Sequence, residues 1–568
     1  MSGVSREATA VSNATAKRWR VRDEPAAIPV GEWPPLIGRL LANRKVTDAD
    51  EARAFLAIDR PAAHPALPDL GRAVERLASA CRAGESVAVF GDFDVDGVTS
   101  AVLLTEGLSA LGAKPVPYLP HRVSEGYGLN EGAIASLHNL GARMLVTADC
   151  GTSSIKEIAF ATGLGMDVVV LDHHVVPDQL PAGATIVNPK RDPSVQDEPA
   201  ACGIAYYVLL ALHDALGSAP DERRMIELVA LGTVCDMAPL LHENRRLVRE
   251  GLAALRTTER PGLRALLEVA AADPARADTQ TIGFALGPRL NAAGRLAHAR
   301  LAFDLLIATD EEQARDLARR LDALNKERQQ QTEAALALAE ELMAGETGAP
   351  LVMIGHEEFP LGIVGLVAAR LAETRHRPAI VYNRGEEESR ASCRSIPAFH
   401  VTDALRSCKE LFVRYGGHRA AAGFTAENDK LPAIKERLQA YADQDLAGQE
   451  LTPEIEIDAE LPLSSLRGEE IRWLARLAPF GIGNPEPVFL SRNVLVSERR
   501  AVGADGRHLR LKLRDGAVVW PAIAFRHDGE GVEEGARADV VYSLSADRGV
   551  ADGLELRVLD VRAAAVNG

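Results

Sequence analysis

Short apolar, β-branched runs at residues 87–90, 144–147, 168–171 and 185–187 recur along the first half of the chain, separated by helical stretches near 100–111 and 153–161. Alternation of this kind predicts parallel strands joined by helical crossovers. After Asp304 the pattern changes to a stretch rich in Glu, Arg, Ala and Leu, almost free of Gly and Pro up to Gly345, which predicts one or two long helices. A second strand-and-helix pattern runs from Leu351 to about Ala442. From Glu454 onward, runs at 494–502, 508–513, 518–525 and 538–544 stand between Gly and Asp turns, a spacing that fits a small β-barrel such as an OB-fold. Residues 1–70 hold short helical signals and a Pro-rich stretch at 61–68, and read as an extension leading into the first domain. The predicted class is α/β: a parallel-sheet domain, a long connecting helix, a smaller α/β domain and a C-terminal barrel.

Composition narrows the setting. A chain of 568 residues exceeds what one hydrophobic core supports, in keeping with several domains. No stretch approaches the roughly 18 apolar residues that span a bilayer, and the first residues lack the basic-then-apolar layout of a secretory leader. A cytoplasmic protein without membrane contact is therefore expected. The six cysteines, at 81, 150, 202, 235, 393 and 408, form no Cys-x-x-Cys pair, which argues against a disulfide framework or a zinc ribbon. The net charge of -16 works against a simple grip on nucleic acid, although basic residues can gather in a groove while the outside stays acidic.

The chemistry concentrates where the strands end. Asp92, Asp94 and Asp96 crowd into Gly-Asp-Phe-Asp-Val-Asp-Gly directly after the run at 87–90. Carboxylates that close together require a cation, and a divalent metal is the strongest neutraliser. Three further sites also follow apolar stretches: Asp149 in Val-Thr-Ala-Asp-Cys-Gly, the run Asp172-His173-His174, and Asp236 in Gly-Thr-Val-Cys-Asp-Met. Read alone, Asp149 or Asp236 is a helix cap or a turn residue. Together, at the carboxyl ends of parallel strands where separate motifs converge, they form a mainly oxygen donor set suited to a pair of Mn²⁺ or Mg²⁺ ions. Cys150 and Cys235 adjoin two of these aspartates and read as small buried packing, because oxygen-loving metals avoid soft sulfur.

This constellation resembles the DHH phosphoesterase superfamily, and within it the RecJ family of single-stranded-DNA exonucleases. The resemblance extends to Gly-Pro-Arg-Leu-Asn-Ala-Ala-Gly-Arg-Leu (287–296), Gly-Ile-Val-Gly-Leu-Val-Ala-Ala-Arg-Leu (362–371), Gly-Gly-His-Arg-Ala-Ala-Ala-Gly-Phe (416–424) and Pro-Phe-Gly-Ile-Gly-Asn-Pro-Glu-Pro-Val-Phe (479–489). It implies a DHH domain over 71–300, a helical connector over 301–346, a DHH-associated domain over 347–447 and an OB-fold over 452–568. It also implies that Asp92, Asp94, Asp96, Asp149, His173 and Asp236 hold two metal ions. Asp94, Asp149, His173 and His174 would carry the catalysis, with Asp172 orienting His173 and His174 facing the substrate phosphate. Arg122, the set Arg289, Asn291 and Arg295, the pair Ser392 and Arg394, and the run Gly416-Gly417-His418 would bind the strand or its terminal phosphate, since guanidinium groups and close backbone N–H groups suit phosphate. Taken singly, each arginine reads equally well as a solvated or salt-bridged residue.

The implied activity is release of 5′-mononucleotides from the 5′ end of single-stranded DNA, in recombination and repair. A single-strand-binding protein and a RecQ-type helicase would be partners of a monomer. Three positions depart from the pattern: Phe90 stands where a metal-binding histidine is common, Phe359-Pro360 where Trp-His is usual, and Ala391 where glycine is usual. Two other readings compete. One is a phosphodiesterase for short oligonucleotides or cyclic dinucleotides, against which the barrel and the Arg-bearing middle region argue; the other is a scaffold without catalysis, against which the retained aspartates argue.

Overall fold

The computed structural model describes residues 17–57, 65–195, 197–344, 348–503, 506, 508–525, 527, 532–546 and 553–564. Residues 1–16 and 58–64 of the expected extension, with part of its Pro-rich stretch, and 345–346 of the expected connector lie outside that set. The chain begins with strand β1 (Arg18–Val21) and helices α1 (Pro35–Asn43) and α2 (Ala49–Leu56). A parallel-sheet domain follows: α3 (Leu70–Ala83), β2 (Ser86–Gly91), α4 (Val95–Ala110), β3 (Lys114–Tyr118), α5 (Glu131–Asn139), β4 (Met144–Ala148), α6 (Ile155–Gly163), β5 (Asp167–Leu171) and β6 (Ala184–Val187). Helices α7 (Ala201–Leu216), α8 (Glu222–Cys235), α9 (His242–Leu255) and α10 (Pro261–Val269), a π-helical turn (Thr281–Leu286), α11 (Gly287–Leu296) and α12 (Arg300–Ile307) complete its helical side.

All five strands run parallel in the order β3-β2-β4-β5-β6. The chain leaves β2 for β3 on one side and returns to β4 on the other, so the order reverses between β2 and β4. Such a reversal opens a crevice at the carboxyl ends of the strands. Strand β4 is buried throughout, which suits a strand covered on both faces.

The long helix α13 (Glu311–Leu342) spans 32 residues, about 48 Å at 1.5 Å per residue. Asp310 caps it by accepting the N–H of Gln313. Its first half buries Ala314, Leu317 and Leu321 in the core of the first domain, and its second half buries Ala335 and Ala339 in the next. That next domain contains β7 (Val352–His356), α14 (Val364–Arg375), β8 (Ala379–Arg384), β9 (Glu388–Arg394), α15 (Val401–Arg406), β10 (Arg414–Gly417), β11 (Ala421–Glu427) and α16 (Leu431–Asp445). Its mixed sheet has the order β10-β11-β9-β8-β7, with only β7 and β8 parallel.

The last module holds β12 (Glu454–Ile457), β13 (Ala459–Glu460), α17 (Glu469–Arg476), β14 (Phe489–Val502), β15 (His508–Asp515), β16 (Val518–Ala524), β17 (Arg537–Ala546) and β18 (Leu554–Ala563). Pairing of β14 with β17 closes the sheet β14-β15-β16-β18-β17 into a barrel. A register shift between Val496 and Glu498 lets the long strand β14 serve two neighbours.

The N-terminal segment departs from the expected extension into the first domain. Strand β1 pairs with β12, and Trp33, Ile37, Leu40, Leu41 and Phe55 share one core with Leu463, Leu477, Phe489 and Tyr542 of the barrel module. Ile37, Leu40 and Leu41 form an apolar stripe at helical spacing, and such a stripe must be covered. Among the described residues, no helix is long and apolar enough to cross a membrane.

Candidate metal centre and arginine cleft

The tight turn after β2 depends on two glycines. A Cβ on Gly97 would lie 2.4 Å from the Asp92 nitrogen, and one on Gly91 would lie 2.5 Å from the Gly97 carbonyl. Asp94 caps α4, accepting the N–H groups of Asp96 at 3.0 Å and Gly97 at 3.2 Å. Asp96 points across to the start of α7, where its two oxygens accept the N–H groups of Ala201 at 2.7 Å and Cys202 at 2.9 Å. Helix N-termini favour negative charge, so this carboxylate is held at both oxygens.

Asp149 follows β4 in a left-handed conformation, with φ at 65°. Tyr127 steadies that strained residue by donating its hydroxyl to the Asp149 carbonyl at 3.0 Å. Asp236 stands at the C-terminal end of α8.

These groups converge. His173 Nε2 lies 3.3 Å from Asp149, 3.8 Å from Asp236 and 3.9 Å from Asp96. Three sets of potential ligand atoms, each within 4.8 Å of one another, overlap: Asp149, His173 and His174; Asp96, His173 and Asp236; Asp92, Asp94 and Asp149. Asp149 and His173 each belong to two sets, which places them between adjacent positions. All six residues expected to hold metal are therefore brought to one crevice.

Electrostatics shows what the cluster lacks. Burial, followed by repulsion from neighbouring carboxylates, raises the pKa of Asp92 and Asp149 well above the usual range, that of Asp96 to about 6 and that of Asp236 to about 9. One oxygen of Asp92 is buried with no hydrogen-bond partner among the described residues. Burial, then the charge of His174, pushes His173 down to about 4, which keeps its imidazole neutral and able to ligate. A mainly carboxylate set with a neutral imidazole and an orphaned buried oxygen fits hard divalent cations.

Two expectations change. Asp172 does not orient the ring of His173; it accepts Nδ1 of His174 at 2.7 Å and the backbone N–H groups of His173 at 2.8 Å, His174 at 3.1 Å and Thr152 at 3.0 Å. The reason is reach, because the His173 ring turns into the cluster while the His174 ring folds back over Asp172. Arg289 is likewise no free donor. It pairs with Asp322 at 2.9 Å and donates to the Ala285 carbonyl at 2.8 Å, bracing α11 against α13.

Of the departures from the family pattern, Phe90 and Phe359 are buried, while Pro360 and Ala391 are half-buried. Phe90 is fully buried and stacks on Tyr118 with ring centroids 5.3 Å apart, so it offers nothing to the crevice. Phe359 is buried with Ile363 and Val367, and Ala391 pairs with Phe424 and Tyr382 inside the second sheet.

Beside the carboxylates, Arg122, Arg295 and Arg394 gather with Arg328 of α13. Burial, then the charges of Arg122, Arg328 and Arg394, pushes Arg295 down to about 9. Arg122 lies over the Phe93 ring at 3.9 Å and feels Asp92 and Asp94. Arg394 donates to the Ser392 hydroxyl at 3.0 Å, and a Cβ on Gly365 would crowd both side chains. None of the four arginines forms a salt bridge among the described residues. Sequence reasoning missed Arg328, because nothing distinguishes it from other arginines of α13 until the helix is seen to pass the cleft.

Asn291 carries a buried side-chain oxygen with no partner among the described residues and opens on a cavity of about 420 Å³, shared with Arg295, Arg328, Met237, Phe284 and Ile482. The Gly-Gly-His run sits apart, on the exposed edge strand β10 and the turn after it. Gly416 pairs with Gly423, which pairs with Ser392, and the His418 N–H closes the turn on the Ala421 carbonyl at 2.8 Å. Gly417 has φ at 142°, and a Cβ there would meet Ala422 at 2.4 Å. Among the described residues, no hydrogen bond joins this hairpin to the carboxylate cluster.

Comparison with known proteins agrees with this architecture. The DHH family N-terminal domain matches residues 86–233, the DHHA1 domain 348–444 and the RecJ OB domain 457–549. The chain is 37% identical over 538 residues to the single-stranded-DNA-specific exonuclease RecJ of Escherichia coli K12, covering 90% of this chain and 92% of that protein. Against RecJ of Bacillus subtilis 168 it is 34% identical over 521 residues, and it spans 90% of itself but only 66% of that longer protein. Crystal structures of Thermus thermophilus RecJ superpose with TM-scores of 0.82 in complex with Mn²⁺ and 0.76 in complex with Mg²⁺. Their sequence identities are 31% and 30%; each covers 96% of this chain, which in turn covers 79% and 78% of theirs. With both α/β domains and the barrel in common, the chain belongs to the RecJ family of DHH phosphoesterases.

Proposed function

We propose that this protein is a metal-dependent exonuclease that enters single-stranded DNA from the 5′ end and releases 5′-mononucleotides, in recombination and repair. One observation carries the reading: buried carboxylates that cannot all remain charged unaided stand beside four arginines that form no salt bridge among the described residues. A phosphodiester together with cations neutralises both sets at once.

Asp92, Asp94, Asp96, Asp149, His173 and Asp236 would hold two ions, His173 through the one free lone pair of its neutral ring. When bound, such ions supply Lewis-acid activation of water and neutralise charge on the phosphoryl oxygens. The residues do the rest. Asp96 is fixed by the start of α7 and Asp149 by Tyr127, so the crevice is set before substrate arrives. Burial works against a charged His174, but its hydrogen bond to Asp172 and the charges of Asp172, Asp94 and Asp96 outweigh that and raise its pKa. With Nδ1 committed to Asp172, Nε2, which lies 3.2 Å from the Tyr127 hydroxyl, is the ring atom left to turn to a phosphate oxygen. Arg122, Ser392 and Arg394 would take the terminal phosphate, and Arg295 and Arg328 the phosphates that follow. Recognition of an end phosphate makes the enzyme an exonuclease with polarity.

The test is digestion of 5′-labelled and 3′-labelled single and double strands with Mn²⁺, Mg²⁺ or chelator. Ion-dependent release of label from the 5′ end of single strands is expected. Release from the 3′ end, or cleavage that survives chelation, would refute the reading.

A further inference from the structure

Arg245, on α9, is buried, 4% exposed, and has no acidic partner among the described residues. Its guanidinium lies over the Phe55 ring at 4.1 Å. Carbonyl oxygens take up its N–H groups: Arg476 at 3.0 Å, Ala478 at 2.9 Å, Pro479 at 3.2 Å and Phe55 at 3.3 Å. Every one of those carbonyls belongs to the unit formed by the N-terminal helices and the barrel, while Arg245 belongs to the domain that carries the carboxylates. Arg249, one turn on, donates to the Ala478 carbonyl at 3.0 Å and to that of Ala57.

The gripped turn leads into Phe480, Gly481 and Ile482. The Leu240 N–H donates to the Ile482 carbonyl at 2.7 Å, and the Thr279 hydroxyl donates to the Phe480 carbonyl at 2.7 Å. Asn484, fully buried, ties the loop to itself through the carbonyls of Leu477 and Pro479. A Cβ on Gly481 would lie 2.7 Å from the Leu240 side chain, so the loop and Leu240 pack closely here. Leu240 is four residues past Asp236, and Phe480, Gly481 and Ile482 line the cavity that Arg295 and Arg328 also line.

A buried guanidinium bound only by carbonyls gains no Coulombic return from an acid, and an apolar filler would serve packing as well. What the planar fork adds is direction, since it holds several carbonyls of one turn in a single geometry. We infer that Arg245 is a positioning residue that locks the 476–482 turn onto the catalytic domain and so sets the distance between the barrel and the metal crevice. This rests on the single-strand exonuclease reading, in which one long strand engages both units. Two linked contacts reinforce each other only while their spacing matches the strand.

The experiment compares Arg245→Met and Arg249→Met with the parent protein on a short single-stranded oligonucleotide confined to the crevice and on a long one that reaches the barrel. KM for the long strand is expected to rise by about tenfold or more, with kcat and all short-strand constants unchanged. Anisotropy binding of the same two strands in chelator should show the same split, which keeps the inference testable if the parent cleaves neither and the exonuclease reading fails instead. Unchanged long-strand KM and binding in both variants would overturn it, as would a parallel fall in activity on both lengths.

Discussion

Asp236 provides the sharpest test of the charge argument. Its folded pKa stands at about 9 against 3.8 for a free carboxyl, through burial and then the charges of Asp96 and Asp94, with Lys190 opposing. A raised carboxyl pKa means that the folded, metal-free protein holds a proton that the unfolded chain has released. Stability from this group is therefore greatest in acid and falls as pH rises toward the folded value. Between about pH 5.5 and about pH 8 the loss is about 1.36 kcal/mol per pH unit, or about 3 kcal/mol in all. Asp236→Asn replaces the carboxyl by a neutral group of the same shape and should remove this contribution, leaving the shallower slope that Asp92, Asp96 and Asp149 supply. In chelator at about pH 8 the variant should melt several degrees above the parent, although it loses cleavage and the stabilisation that Mn²⁺ brings. Thermal melts of both proteins at the two pH values, with chelator and with Mn²⁺, decide the matter. A parent that is more stable at the higher pH without metal, or a variant that melts like the parent throughout, would show that the crevice is not a site of uncompensated negative charge.

Other expectations follow from the same geometry. Asp149→Ala should abolish Mn²⁺-dependent cleavage with an unchanged circular dichroism spectrum, and residual nuclease activity would contradict its shared place between the ligand sets. Glu106 contacts both Arg260, whose side chain is fully buried, and Arg224; burial opposes its charge but the two arginines prevail, and its pKa is lowered. Glu106→Gln should destabilise the first domain by about 3 kcal/mol in chemical denaturation. In the parent, the Glu106 contribution should be present at neutral pH and lost as pH falls below the ordinary carboxyl range. Arg122→Ala or Arg394→Ala should erase the preference for a 5′-phosphate over a 5′-hydroxyl end in competition assays. Because only 4% of residues are aromatic, phosphate contacts should dominate strand binding, and affinity should fall steeply with salt; a log-log slope near zero would contradict this.

Much of the molecule is legible in the residues themselves. Apolar runs followed by acidic motifs located strands and site together at Asp92, Asp149 and Asp172, because a strand buried on both faces must be apolar and its charged residues can only appear where it ends; the apolar run before Asp236 is instead helix α8, whose burial makes it equally apolar. The turn from Gly91 to Gly97 and the Asp172-His173-His174 run are local, and their chemistry survives without any fold. Other features depend on encounters between distant segments. Whether Asp172 serves His173 or His174, whether Arg289 faces substrate or Asp322, and that Arg328 reaches the cleft at all follow from how α11 and α13 pack and where rings find room. The N-terminal helices likewise carry an apolar stripe that demands a partner without naming it, and the barrel, some four hundred residues away, supplies one. Sequence by itself determined which groups could do the chemistry, since ionisation and donor type are properties of single side chains. Only the tertiary structure decided which of them meet, because distance, burial and mutual repulsion exist only between groups that folding has brought together.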